Sequence, residues 1–254
     1  MERKDVTYTA EDIEALLKSG ALTRLGMGTR RVCYALPGGT FCMKCYRSDD
    51  EIAEGINNYG GEIKPLRSSV VREIRRNRFS EKKNTSCIEW RYHQEILATM
   101  PKKIKEVFPE HVERICLPTY GWCLVETAIV NFDGTTARPV VDELIRLSSQ
   151  TKSPACIAKA GELLKALPSF FDMLADATVR FYDPPNVIVQ WIGPESFRLR
   201  IADFEPKART VIALDRWFDF CARFKCRRRS RRFLRSLWPA ISSLKDCITD
   251  VNKV

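Results

Sequence analysis

The sequence predicts an α+β fold of two unequal lobes, a small antiparallel β lobe carrying one helix and a larger, mostly helical lobe. Three observations predict it. Short apolar runs separated by glycine turns crowd residues 22–46, two more such runs lie within 117–130, and from residue 140 onward the apolar spacing turns to three and four. At 254 residues with 44% hydrophobic content, the chain suits one large domain or two small lobes with a packed core. The expected division is an N-terminal helix in 1–21, the β lobe in 22–130 with a charged insertion at about 47–85, and the helical lobe in 131–254 ending in basic helices.

Thr9 opens T-x-x-D, and Ile13, Leu16 and Leu17 follow at helical spacing before Gly20, so the first element is a short capped helix. The runs 22–25, 32–35 and 41–46, separated by G-M-G-T and P-G-G, read as an antiparallel meander. Residues 47–85 are polar and read as an insertion or long loop. Ile88, Tyr92 and Ile96 recur every four residues and predict a helix over about 86–99, ended by Pro101. Strands are expected at 117–120 and 122–130 around Gly121. Helices are expected at 140–149 and 154–178, the second kinked or divided by Pro168. Two strands, 187–191 and 197–201, flank a Gly193-Pro194 turn, and the remainder reads as helical.

Charge near the N-terminus, at Glu2, Arg3, Lys4 and Asp5, with no apolar run after it, predicts no signal peptide, and no stretch reaches a membrane-spanning length. A soluble, cytoplasmic protein is the expectation. The ten cysteines are scattered through apolar segments and read as buried thiols rather than a disulfide framework. Cys42 and Cys45 have C-x-x-C spacing, but no second pair completes a zinc site, and they read as small hydrophobes beside Lys44. The net charge of +10 is uneven. Arg223, Lys225, Arg227, Arg228, Arg229, Arg231, Arg232 and Arg235 form a run with no acidic residue among them.

The order of chemistry-bearing residues is that of a protein kinase. Gly26 and Gly28 sit between two strands, where backbone N–H groups can approach phosphates. Lys44, in F-C-M-K-C, stands where a third strand presents a lysine to the α- and β-phosphates of ATP. Glu89 on the following helix is its expected ion-pair partner, with Glu73 and Glu95 as competitors. The segment F-Y-D-P-P-N-V-I-V-Q places Asn186 before a short apolar strand, the position of a magnesium ligand, and I-A-D-F-E places Asp203 after an apolar strand, the position of a second.

These marks together resemble the PhoP regulatory network (YrbL-like) family over most of the chain. L-G-M-G-T-R-R-V-C-Y-A-L-P at 25–37 is similar to its glycine loop and second strand, C-M-K-C-Y to its lysine strand, and E-W-R-Y-H at 89–93 to its first helix. A-I-V-N-F-D-G at 128–134, P-P-N-V-I-V at 184–189 and the tryptophan, cysteine and arginine-rich stretch from Trp217 are similar to its later segments. The resemblance implies a protein-kinase-like fold and a bacterial protein of envelope-stress or magnesium-responsive regulation, but no defined reaction.

One residue departs from kinase chemistry. The aspartate that accepts the hydroxyl proton stands five positions before the loop asparagine, and that position is Phe181, after a matching Arg180. The resemblance implies that the YrbL-like family shares the lack. Asp183 is the nearby carboxylate able to replace the base, and Glu205 replaces the glycine after Asp203 and Phe204. Three functions follow. The first is a nucleotide-binding pseudokinase acting as a regulatory module, with ATP and Mg²⁺ held by Gly26, Gly28, Lys44, Glu89, Asn186 and Asp203. The second is an atypical kinase or nucleotidyl transferase using Asp183 or its substrate as base. The third is a protein that binds anionic surfaces through the basic C-terminal helix. The acceptor, a protein or a small molecule, leaves no short motif.

Overall fold

The computed structural model describes residues 9–57, 63–95, 97–150, 153–179, 183–203 and 219–237. The chain divides into two compact units, one of Met1–Ile96 with Glu110–Ala128 and the other of Leu97–Pro109 with Ile129–Val254. Together they make a mixed α+β protein.

In the first unit, Thr9 caps α1 (Ala10–Lys18). Its hydroxyl accepts from the Asp12 N–H at 3.1 Å while Asp12 Oδ2 accepts from the Thr9 N–H at 3.1 Å, so two orphan donors are satisfied reciprocally. Strands β1 (Thr23–Met27), β2 (Arg31–Ala35) and β3 (Phe41–Tyr46) follow as a meander. The stretch expected to be a loop then forms α2 (Asp49–Ala53), a small hairpin of β4 (Ile56–Asn57) and β5 (Ile63–Lys64), and α3 (Ser68–Asn77). A capping box at Ser48 and Glu51 starts α2, and Ile74, fully buried, anchors α3 among the arginines that hid its apolar spacing. Helix α4 (Thr85–Glu95) comes next.

Two further strands of this unit, named here β6 (His111–Leu117) and β7 (Gly121–Thr127), complete an antiparallel sheet of order β1-β2-β3-β7-β6. The first lies earlier than the expected 117–120. A register shift between His111 and Glu113 breaks the alternation that would have marked it. Gly121 adopts φ +65°, and a Cβ there would stand 2.2 Å from the Arg78 carbonyl oxygen, so only glycine fits.

Strand alternation gives this sheet two unlike faces. Val32, Met43, Cys45, Ile115, Leu117, Cys123 and Val125 form an apolar core with Ile13 of α1. The opposite face carries Arg31, Cys33, Cys42, Lys44, Leu124, Glu126 and His111 in register, and α4 packs there.

In the second unit, α5 (Lys102–Lys105) precedes a three-stranded sheet of order β10-β9-β8, made of β8 (Arg138–Pro139), β9 (Val187–Trp191) and β10 (Phe197–Ile201). Helices α6 (Val140–Ser149), α7 (Pro154–Asp176) and α8 (Asp219–Leu237) complete it. Of the two expected effects of Pro168, a kink or a division, the division does not occur, since α7 runs through it as one helix. Leu163, Leu164, Leu167, Phe170, Phe171 and Leu174 form one buried stripe across it, and that burial outweighs the hydrogen bond lost at proline. Among the described residues, no helix is long and apolar enough to cross a membrane.

Candidate functional site

The charged face beneath α4 holds two carboxylates between three basic side chains. Lys44 Nζ lies 2.7 Å from Glu126 Oε1 and 3.7 Å from Glu89 Oε1. Arg31 Nη1 lies 2.6 Å from Glu89 Oε2, and His111 Nε2 lies 3.4 Å from Glu126 Oε2. All five side chains are buried. Taking ionised groups out of water is costly, and here a lysine and an arginine stand directly against the two carboxylates.

The protonation states follow. Burial works against a charged Lys44, but Glu126 and then Glu89 outweigh it, so the ammonium holds its proton more tightly than an ordinary lysine. Burial likewise works against the Glu89 carboxylate, yet Lys44 and Arg31 bring its pKa down to about 2. At neutral pH the pair is ionised. Next to it, the His93 and His111 rings lie 4.2 Å apart, and burial with the neighbouring His111 lowers the His93 pKa to about 4.

Of the three glutamates considered for Lys44, Glu89 is the one that reaches it. Glu73 instead pairs with Arg30 at 3.3 Å, and Glu95 is exposed at the end of α4. Cys42 and Cys45 are both buried but lie on opposite faces of β3, Cys42 beside Lys44 and Cys45 in the apolar core. They cannot ligate one ion together.

The glycine turn joins β1 to β2. Gly28 donates its N–H to the Arg31 carbonyl at 2.8 Å, and its own carbonyl accepts from Arg47 Nε at 2.9 Å. Arg47, itself fully buried, also donates to the carbonyls of Glu51 and Gly55 and so ties the turn to α2. Neither glycine has a positive φ. A Cβ on Gly26 would meet no atom within 4 Å, and one on Gly28 would come no nearer than 3.6 Å to the Arg31 carbonyl. The protein's own packing does not require glycine at either position.

In the second unit, a 3-10 turn over Pro184–Asn186 leads into β9. Asn186 donates its side-chain amide to the Asp203 carbonyl at 3.0 Å and accepts the Ala202 N–H on its own carbonyl at 3.2 Å. The β9–β10 hairpin thereby brings Asn186 and Asp203 together, and both side chains carry oxygen donors of the type a hard cation takes. Asp183 Oδ1 lies 3.8 Å from Arg229 Nη1 of α8. Arg180, Phe181 and Glu205 fall outside the described residues.

No protein family, curated protein or solved structure matches the chain. The chemistry therefore rests on the geometry. Glu89, His111 and Glu126 offer ligand atoms within 4.8 Å of one another. Lys44 and Arg31 already balance both carboxylates, so a divalent ion there would add two uncompensated buried charges, and the cluster fits an ion-pair network better than a metal centre. Arg31, His111 and Glu126 escaped the sequence reading. An acid within the apolar run W-C-L-V-E-T was the available signal for Glu126, whereas Arg31 and His111 depend on cross-strand register.

Proposed function

We propose that this chain is a nucleotide-binding protein of kinase-like architecture and YrbL type, acting as a pseudokinase in a bacterial stress- or magnesium-responsive network. The observation that carries it is the Lys44 ammonium, presented on the third strand and kept ionised between Glu89 and Glu126. Sheet order β1-β2-β3-β7-β6, with a glycine turn before the second strand and a glutamate-bearing helix after the third, supports the same reading.

In this reading Lys44 takes the α- and β-phosphates of ATP, and Glu89 and Glu126 act on it as positioning residues. Backbone N–H groups of the turn around Gly26 and Gly28, other than the Gly28 N–H already given to the Arg31 carbonyl, donate to phosphate oxygens, and no side chain stands over either glycine. Asn186 and Asp203 hold Mg²⁺ through oxygen atoms, the donor type a hard cation prefers. The metal supplies neutralisation of phosphate charge when bound. Phosphoryl transfer to a hydroxyl also requires a group to receive the hydroxyl proton, and the Phe181 ring has no atom that can receive one. Loss of that role costs about 10² to 10⁴ in rate, which leaves binding as the main activity.

The second reading assigns the proton to Asp183, whose carboxylate is held by Arg229. A thermal-shift titration with ATP and Mg²⁺ tests the first reading. It expects a saturable rise in melting temperature, corresponding to about 2.7 kcal/mol at a hundredfold excess over Kd, and slow ADP formation unchanged by Asp183→Asn. Absence of any shift at millimolar ATP removes it. A wild-type turnover that Asp183→Asn abolishes selects the second.

A further inference from the structure

Helix α8 turns its short apolar stripe inward. Ala222, Cys226, Ser230, Phe233 and Leu237, spaced by three and four, are buried against α7, with Phe233 edge-on to Phe171 at 6.1 Å. Arg227 is spent on the same contact, since it pairs with Asp172 at 3.3 Å and Asp176 at 2.6 Å. The outer face is of another kind. Phe220 and Phe224, one helical turn apart, stand 69% and 67% exposed, and with six arginines of the helix, Arg227 at the edge toward α7 among them, they line a concavity of about 680 Å³. Residues 220–237 contain no acidic side chain.

We propose that this outer face binds a single-stranded polynucleotide, with the arginines on its phosphates and Phe224 and Phe220 beneath its bases. Arginine presents planar forks suited to phosphate oxygens. An exposed phenyl ring beside such cations is the stacking platform that unpaired bases use, and it accepts any base because every base has a π face. A bilayer is the poorer fit. Membrane-surface helices insert a continuous apolar face, and the apolar stripe of α8 is already covered by α7, which leaves two phenyl rings among the arginines. A duplex hides its base faces and offers the rings nothing to stack on.

The test is fluorescence anisotropy of labelled twelve-residue oligouridylate and oligothymidylate with the full chain in excess ATP, alongside sedimentation with phosphatidylserine vesicles. Saturable oligonucleotide binding is expected. With about four phosphates engaged, affinity should fall by roughly 50-fold between 50 and 200 mM salt. Phe224→Ala should weaken binding roughly tenfold with an unchanged salt slope, whereas Arg231→Gln with Arg235→Gln should flatten that slope. These side chains are exposed, so the variants should keep the wild-type melting temperature. A stronger oligouridylate signal assigns RNA and an equal one assigns either strand type. Wild-type affinity in Phe224→Ala, retention on vesicles without oligonucleotide binding, or no binding to either strand overturns the proposal.

Discussion

Lys44 Nζ is an ångström closer to Glu126 Oε1 than to Glu89 Oε1, at 2.7 Å against 3.7 Å. The lysine is thus gripped by a strand neighbour as well as by the helix, and Glu89 in turn is held by Arg31 at 2.6 Å. Such a chain of alternating charges holds the ammonium within a narrow range, and that would lower the ordering cost of the proposed phosphate binding.

Breaking this chain should destabilise the fold. Lys44→Met leaves Glu126 buried without its nearest cation and is expected to cost about 3 to 5 kcal/mol in urea denaturation. Lys44→Met combined with Glu126→Leu should cost less than the two single losses added together. Equal sums would show that the two residues do not interact.

The glycines separate ligand needs from folding needs. Gly121→Ala, with φ +65° and a Cβ 2.2 Å from the Arg78 carbonyl oxygen, should lose at least about 3 kcal/mol of stability. Gly28→Ala should leave the melting temperature unchanged or slightly raised, because its backbone needs no left-handed conformation and a methyl has room. If the turn holds the phosphates, its ATP affinity should nevertheless fall roughly tenfold, because the added carbon would crowd phosphate oxygens approaching the turn. Calorimetric titration of both variants measures the contrast.

Stability should fall with acid in two steps. His93 titrates near 4 when folded and near 6.5 when unfolded, so the unfolded chain takes the proton first and stability declines as pH drops from 6.5 to 4. Glu89 titrates near 2 when folded against 4.5 when unfolded. Its contribution, about 3 kcal/mol, is present above pH 4.5 and lost as pH falls toward 2. Urea midpoints measured across this range should show both slopes, and His93→Gln should remove only the upper one.

What was legible in the sequence follows from how local its cause is. The capping box at Thr9 and Asp12, and the strands at 187–191 and 197–201, are written in neighbouring residues and lie where expected. Element order made Glu89 the expected partner of Lys44 with Glu73 and Glu95 still open, and only the folded geometry selects it. Arg31, Glu126 and His111 reach the same cluster only through the register of β2, β3, β6 and β7, including a shift between His111 and Glu113, and no short window contains that information. Helix α3 was masked for another reason. Its burial rests chiefly on Ile74, while Arg72, Arg75 and Arg76 dominate its composition. For α8, composition announced the basic run, but only packing on α7 decides that Phe233 turns inward and Phe224 outward.

The most direct test of the central claim is the ratio of affinities for ATP and adenosine, measured by calorimetry on the wild-type chain and on Lys44→Met under conditions where both are folded. Because it is a ratio, it does not depend on the fraction of competent protein. If Lys44 takes the phosphates, the wild-type chain should favour ATP by at least tenfold, and Lys44→Met should bring the ratio near one. A wild-type chain that binds neither ligand, or a ratio that Lys44→Met leaves unchanged, would contradict the account.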